Sequence, residues 1–433
     1  MARTLTRLPH AATAGTVVPE AQTLTQQYLQ VRAATVALCA PLAVEDYVVQ
    51  SMPDASPAKW HLAHTSWFFE EFVLSQAGAA YQFHDKDFRF LFNSYYNAVG
   101  PMHTRSNRGL LSRPTVQQVL DYRTRIDERM SELLRGPSPL APELARIITL
   151  GLHHEQQHQE LILTDIKHLL SCNPLLPAYV EQPAAQSRAP SPLTFRKFDG
   201  GLVEIGHTGT EFAFDNELPR HRVFLAPFAL ATRLVTNAEY LEFIRDDGYR
   251  NPAHWLSDGW ATVQREGWTR PIYWADSLDR EFTLRGLVSL DPHTPVTHLS
   301  CYEADAFARW AGARLPTEFE WENAATVASV PTAGNFVESR NWHPVAAPDV
   351  GGSMLQMFGD VWEWTQSAYA PYPGYRTASG ALGEYNGKFM VNQLVLRGGS
   401  CATPHSHIRP SYRNFFNPAA RWQFSGVRLS RDL

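Results

Sequence analysis

From Pro142 to about Leu170 the sequence reads as the longest helix of the chain, and this run dictates most about the fold. Ile147, Gly151, His154, His158, Leu161 and Asp165 recur at alternating spacings of three and four, the period of one helical face. A long helix with one such face needs partners to cover it. Three further helical patterns precede it. Gln22 to Leu38 has few breakers. A second helix is announced by Ser56-Pro57, a capping serine before the residue favoured at the first helical position, and it runs to Gly78. A third starts at Thr115, where Gln118 completes a capping box, and stops near Gly136. Four such helices predict a bundle.

The 433 residues leave room for a second domain. Residues Ser171 to Pro192 carry five prolines among Ala, Gln and Ser, the composition of a linker. Beyond it, short apolar runs (LVEIG, RVFLAPFALA, QLVLRGGS) alternate with Gly, Pro, Asn and Asp. Only Asn237–Asp246 and Cys301–Gly312 read as helices there, which predicts an α+β domain with much irregular chain. The stretch Gln82 to Arg113 is a long aromatic and arginine-rich loop, of the kind that usually carries function.

A net charge of -5 argues against nucleic acid or an anionic membrane as partner. No apolar run reaches the roughly 18 residues that span a bilayer. The N-terminus lacks the apolar core of a signal peptide, and the four cysteines lie far apart, so a cytoplasmic location is expected.

His154 and His158 project from one helical face about a turn apart, a ready pair of ligands for a divalent metal. Gly151, one turn earlier, leaves room beside them. The same residues spell His154-Glu155-Gln156-Gln157-His158, the zinc-protease motif with Glu155 as base. The third downstream ligand of such a protease does not follow in the sequence. A third ligand is better sought on a facing helix, where the second helix offers His61 and His64. Three imidazoles without a thiolate suit iron, copper or zinc.

Four long motifs then fall in order: SMPDASPAKWHLAHTSWFFE, LFNSYYNAVGPMHTRSNRGLLSRPTV, GLHHEQQHQELILTDIKH and RPSYRNFFNPAARWQFSGVRL. Together they resemble the ergothioneine-biosynthesis sulfoxide synthases. The resemblance implies an α+β chain with a DinB-like four-helix bundle followed by a domain like the formylglycine-generating enzyme, of C-type-lectin-like fold. LPTEFEWENAA and GDVWEWT match the markers of that second domain. The expected organisation is a flexible N-terminus over 1–20, a helical iron-binding domain over 21–177, a linker over 178–194 and the second domain over 195–433. Cys401 stands alone after RGGS, without the paired cysteine of formylglycine-generating enzymes.

By resemblance, His64, His154 and His158 hold a non-haem iron(II). The family reaction couples a thiol to the imidazole of Nα-trimethylhistidine and oxidises the sulfur to a sulfoxide, consuming O2. The Tyr95-Tyr96 doublet matches the subgroup using free L-cysteine and implies the proton donor, without choosing between the two rings. Arg105 and Arg108 are suited to the substrate carboxylates. The trimethylammonium group has no hydrogen to donate, so Phe415, Phe416 and Gln157 are expected to hold it, with Asn414 beside them among the substrate-binding residues. The alternatives are a related carbon–chalcogen enzyme using γ-glutamylcysteine or a seleno-sugar, a zinc metalloprotease, and a non-catalytic lectin-like binding protein.

Overall fold

The computed structural model describes residues 22–76, 81–182, 187–350 and 353–433. The expected flexible N-terminus, the expected helix end at Gly78 and part of the linker lie outside the described residues.

Among the described residues, five α-helices make up the N-terminal part: α1 (Leu24–Cys39), α2 (Ala58–Phe72), the single turn α3 (Phe88–Leu91), α4 (Val116–Leu134) and α5 (Pro142–Ser171). Helices α1, α2, α4 and α5 pack as the bundle, with α5 against α1 and α2. Thr23 with Gln26 and Thr115 with Gln118 form capping boxes for α1 and α4. The start of α2 differs from expectation. Pro57 occupies the cap position, and Ser56 does not cap. Its N–H donates to Asp165 Oδ2 and its hydroxyl accepts from Arg108, so tertiary partners take both polar groups.

The α5–α2 seam needs a glycine. A Cβ on Gly151 would sit 2.7 Å from Phe69 Cε1 and 2.8 Å from Phe68 Cε1. Between α1, α4 and α5 a charged network is closed off from water. Glu155 is fully buried, and its carboxylate accepts from Arg32 Nη1 (2.8 Å), Arg123 Nη2 (2.5 Å) and Thr35 Oγ1 (2.6 Å). A buried charge of this kind survives only when paired and hydrogen-bonded.

The C-terminal part has four small sheets among the described residues. Strands β1 (Phe195–Phe198), β2 (Gly201–Ile205), β3 (His221–Leu225) and β4 (Phe228–Ala231) precede the antiparallel pair β5 (Arg280–Thr283) and β6 (Gly286–Ser289). β7 (Trp362–Ala368), β8 (Leu394–Arg397), β9 (Asn414–Phe416) and β10 (Ser425–Gly426) form the central sheet in the order β10-β7-β8-β9, and β11 (Ser430–Asp432) joins β1 and β4. Two helices match the sequence reading, α6 (Asn237–Arg245) and α8 (Cys301–Trp310). Two more were not anticipated, α7 (Ser257–Glu266) and α9 (Glu318–Val327). α7 contains Gly259, a residue that weakens a helical pattern. A Cβ there would lie 3.0 Å from Tyr302, a tight approach that the glycine avoids.

The GDVWEWT segment locks this domain to the bundle. Glu160 on α5 accepts from Trp362 Nε1 (2.6 Å), Ser400 Oγ (2.8 Å) and Thr403 Oγ1 (2.7 Å). Glu363 of the same segment is buried against Arg428 and Trp321, and Trp364 donates to the Leu299 carbonyl. All four cysteines are free. Among the described residues no helix is long and apolar enough to cross a membrane.

Candidate metal centre and substrate cavity

Helices α2 and α5 bring His64, His154 and His158 together, all buried, with ligand atoms within 4.8 Å of one another. His154 Nε2 lies 3.2 Å from His64 Nε2 and 3.1 Å from His158 Nε2. His64 Nδ1 donates to the Phe92 carbonyl at 2.6 Å, which leaves its Nε2 as a lone pair facing the other two rings. Burial pushes all three imidazoles towards the neutral form, His154 to about 3. Three buried imidazole nitrogens converging on one point, all held towards the neutral form, make a ligand set for a cation. The residues therefore fit a divalent metal.

His61 is not part of this cluster. Its Nδ1 faces His158 Nδ1 at 2.8 Å and its Nε2 faces Asp165 Oδ2 at 3.0 Å. With His158 Nε2 given to a metal, its Nδ1–H donates to His61, whose own Nε2–H donates to the carboxylate. Carboxylate–imidazole chains of this type fix the ring of a ligand histidine.

Glu155 turns away from the cluster. Although burial raises its pKa, Arg123 and Arg32 hold the carboxyl down at about 2. Held as an anion by two arginines, it has no access to a water at the histidines, and the protease reading of His154-Glu155-Gln156-Gln157-His158 is corrected on that ground.

A cavity of about 470 Å³ opens beside His154 and His158. Tyr95, Arg105, Arg108, Gln157, Asn414, Phe415 and Phe416 all line it. The tyrosine doublet divides. Tyr95 faces the cavity, while Tyr96 stacks behind it (centroids 4.6 Å), fully buried against Trp67 and Phe72 with its hydroxyl unpartnered. Arg108 is buried, lies 3.3 Å over the Trp60 ring, and gives Nη1 to Ser56 Oγ at 2.9 Å. Burial and the neighbouring Arg105 push its pKa down. Arg105 reaches the Asp54 carbonyl. β9 carries Asn414, Phe415 and Phe416, and Phe415 stacks on Tyr369 at 4.0 Å.

Sequence reasoning missed several lining residues. Tyr385 donates to Gln157 Oε1, and Gln157 Nε2 donates to Tyr412 Oη at 2.8 Å, so the C-terminal domain fixes the amide beside His158. Tyr385 also packs against His154 (centroids 5.7 Å). Asp165 belonged to the recognised helical stripe, yet nothing in its spacing marked it as a cavity residue. Larger space exists elsewhere, about 920 Å³ between α1, α5 and the C-terminal domain, but the three-histidine cluster does not face it.

Comparison with known proteins agrees with this architecture. Residues 27–162 match the DinB superfamily, and residues 182–349 and 338–433 match the sulfatase-modifying factor enzyme 1-like domain. The hercynine oxygenase of Mycolicibacterium smegmatis is 37% identical over 311 residues, covering 66% of this chain and 71% of that protein. The hercynine oxygenase of Mycobacterium tuberculosis is 35% identical over 307 residues, covering 66% and 72%. The formylglycine-generating enzyme of Streptomyces coelicolor is 28% identical over 296 residues, covering 57% of this chain and 88% of its own. Identity at this level, spread over both the bundle and the mixed domain, assigns the chain to the hercynine oxygenase family, the sulfoxide synthases of ergothioneine biosynthesis.

Proposed function

We propose that this protein is an iron(II)-dependent, O2-using sulfoxide synthase that couples the thiol of free L-cysteine to the imidazole of Nα-trimethylhistidine. The observation that carries this reading is the cavity itself, whose wall combines two ligand histidines with two arginines and a group of aromatic rings. Overall, a C–H and an S–H bond are lost and a C–S bond forms. One oxygen atom of O2 goes to sulfur and the other leaves as water.

Iron(II) held by His64, His154 and His158 would supply a redox-active centre for O2 activation, while the four electrons that reduce O2 come from the thiol and the imidazole C–H. Arg105 and Arg108 take the donor's carboxylate. A buried, incompletely paired guanidinium gains most from an incoming anion, and the orphaned Nε of Arg108 is such a group. Phe415 and Phe416 offer ring faces to the trimethylammonium, with Gln157 and Asn414 adding amide dipoles. Tyr95 Oη stands at the cavity wall as the proton source, and Tyr96 backs its ring. The likeness of this doublet to the cysteine-using subgroup supports free cysteine as donor.

Iron-reconstituted protein should take up O2 only when both substrates are present. His158→Ala should lose iron retention and O2 uptake together; full iron occupancy in that variant would contradict the ligand set. A higher kcat/KM with γ-glutamylcysteine than with cysteine would overturn the donor.

A further inference from the structure

Next to the arginines the cavity holds an acid that the reaction above does not use. Asp165 lies seven residues beyond His158, roughly two turns along the same face of α5. Its side chain is 8% exposed and lines the cavity with Ser56, Arg105 and Arg108. One carboxylate oxygen is committed: Oδ2 accepts from the Ser56 N–H at 2.8 Å and from His61 Nε2 at 3.0 Å. The other, Oδ1, accepts no hydrogen bond among the described residues. Orienting His61 therefore occupies only half of this group.

Arg108 has a similar surplus. Its Nη1 is given to Ser56 Oγ at 2.9 Å, and its Nε is buried with no partner. Ser56 stands between the two charges, its N–H on the acid and its hydroxyl on the base. Among the described residues no ion pair within 4.0 Å joins Asp165 to Arg108. A carboxylate and a guanidinium, both buried, line one cavity without direct contact, although the acid's charge is felt by the arginine. Leaving both partly unpaired is costly, and a ligand of matching charge offsets that cost. An α-amino acid carries a carboxylate and an ammonium on one carbon, so it can span a serine-wide gap between opposite charges.

We propose that Asp165 Oδ1 binds the free α-ammonium of the sulfur donor while Arg108 and Arg105 bind its carboxylate. The site thereby selects an α-amino acid thiol whose amine is not acylated. This rests on the donor reading above and adds a residue and a selection rule to it. An N-acylated donor such as a γ-glutamyl thiol presents a neutral amide where the acid expects a cation, and loses the charge-assisted bond.

The test compares cysteine with 3-mercaptopropionate, which keeps the thiol and carboxylate and lacks the amine. Affinities for the iron-loaded full chain are measured anaerobically by calorimetry, without trimethylhistidine. Asp165→Asn is isosteric and retains an acceptor for Ser56 and His61, so it removes chiefly the charge. The wild type should prefer cysteine by about tenfold or more, the worth of a charge-assisted hydrogen bond. In the variant, cysteine affinity should fall about ten- to a hundredfold while 3-mercaptopropionate changes by less than about twofold. Equal affinities in the wild type, an unchanged preference in the variant, or equal loss for both thiols would each overturn the proposal, the last pointing to a purely structural acid. If Asp165→Asn does not fold, the wild-type comparison decides alone. Absence of turnover with trimethylhistidine alongside an intact amine preference would sink the reaction proposed above and leave this assignment standing.

Discussion

The His158–His61–Asp165 chain makes a quantitative demand on metal binding. His61→Phe retains the edge-to-face ring contact with Trp60 (centroids 5.9 Å) but removes the acceptor at 2.8 Å from His158 Nδ1. Once His158 Nε2 is committed to iron, its Nδ1–H is left buried with no partner, which costs about 1–3 kcal/mol. That corresponds to roughly 5- to 150-fold in affinity, and it overlaps the roughly 10- to 100-fold lost when partners of ligand histidines are removed elsewhere. Asp165 would keep its bond from the Ser56 N–H, so the loop before α2 should hold its place. The assay is competition for iron(II) against a chromogenic chelator under anaerobic conditions, with far-UV circular dichroism to confirm an intact bundle. His61→Gln, which returns an amide oxygen as acceptor, should recover part of the loss. Iron affinity in His61→Phe within about twofold of the wild type would refute the reasoning, because an unsatisfied buried donor cannot be that cheap.

Three further outcomes follow from particular contacts. Tyr95→Phe should retain iron and O2 uptake but shift product from the coupled sulfoxide to cysteine sulfinic acid, whereas Tyr96→Phe, which removes an unpartnered buried hydroxyl, should leave product partition unchanged; mass spectrometry of the products distinguishes them. Gly151→Ala should destabilise the bundle by about 1–3 kcal/mol in denaturant titrations, since Phe68 and Phe69 must move away from the new methyl group. Glu155→Gln leaves Arg32 and Arg123 with a neutral partner and should cost about 3–5 kcal/mol near neutral pH. With the folded pKa near 2, below the ordinary carboxylate value, the wild-type contribution is present above about pH 4.3 and lost as pH falls through 2, so the gap between the two proteins should close in acid.

The bundle was largely legible because its signals are local. The period of α5 placed its ends within a residue, and the Thr115–Gln118 box marked the start of α4. Ser56-Pro57 misled as a cap because Asp165 and Arg108, distant in sequence, claim the serine's polar groups. In the C-terminal part, α9 opens with a capping box of Thr317 and Glu320, yet its ten residues are mostly buried and show little periodicity. α7 was hidden by a glycine whose reason is the Tyr302 ring.

The candidate site divides the same way. His154 and His158 declare themselves by spacing on one helix, whereas spacing alone left His61 and His64 open and only the resemblance pointed to His64. Tyr385 and Tyr412 reach Gln157 from irregular chain, and the sequence around them carries no pattern that points there. Asp165 sat in the predicted stripe, where a core position and a cavity position share the same periodicity.

Isotopic labelling tests the central claim most directly. Iron-loaded protein is given Nα-trimethylhistidine and cysteine under 18O2 in unlabelled water, and the product is analysed by mass spectrometry. Three histidines serving oxidative sulfur–carbon coupling predict a coupled product carrying one 18O atom on sulfur, absent when iron is withheld and absent from His158→Ala. A coupled product whose sulfoxide oxygen comes from water, or no coupled product at full iron occupancy, would contradict the account.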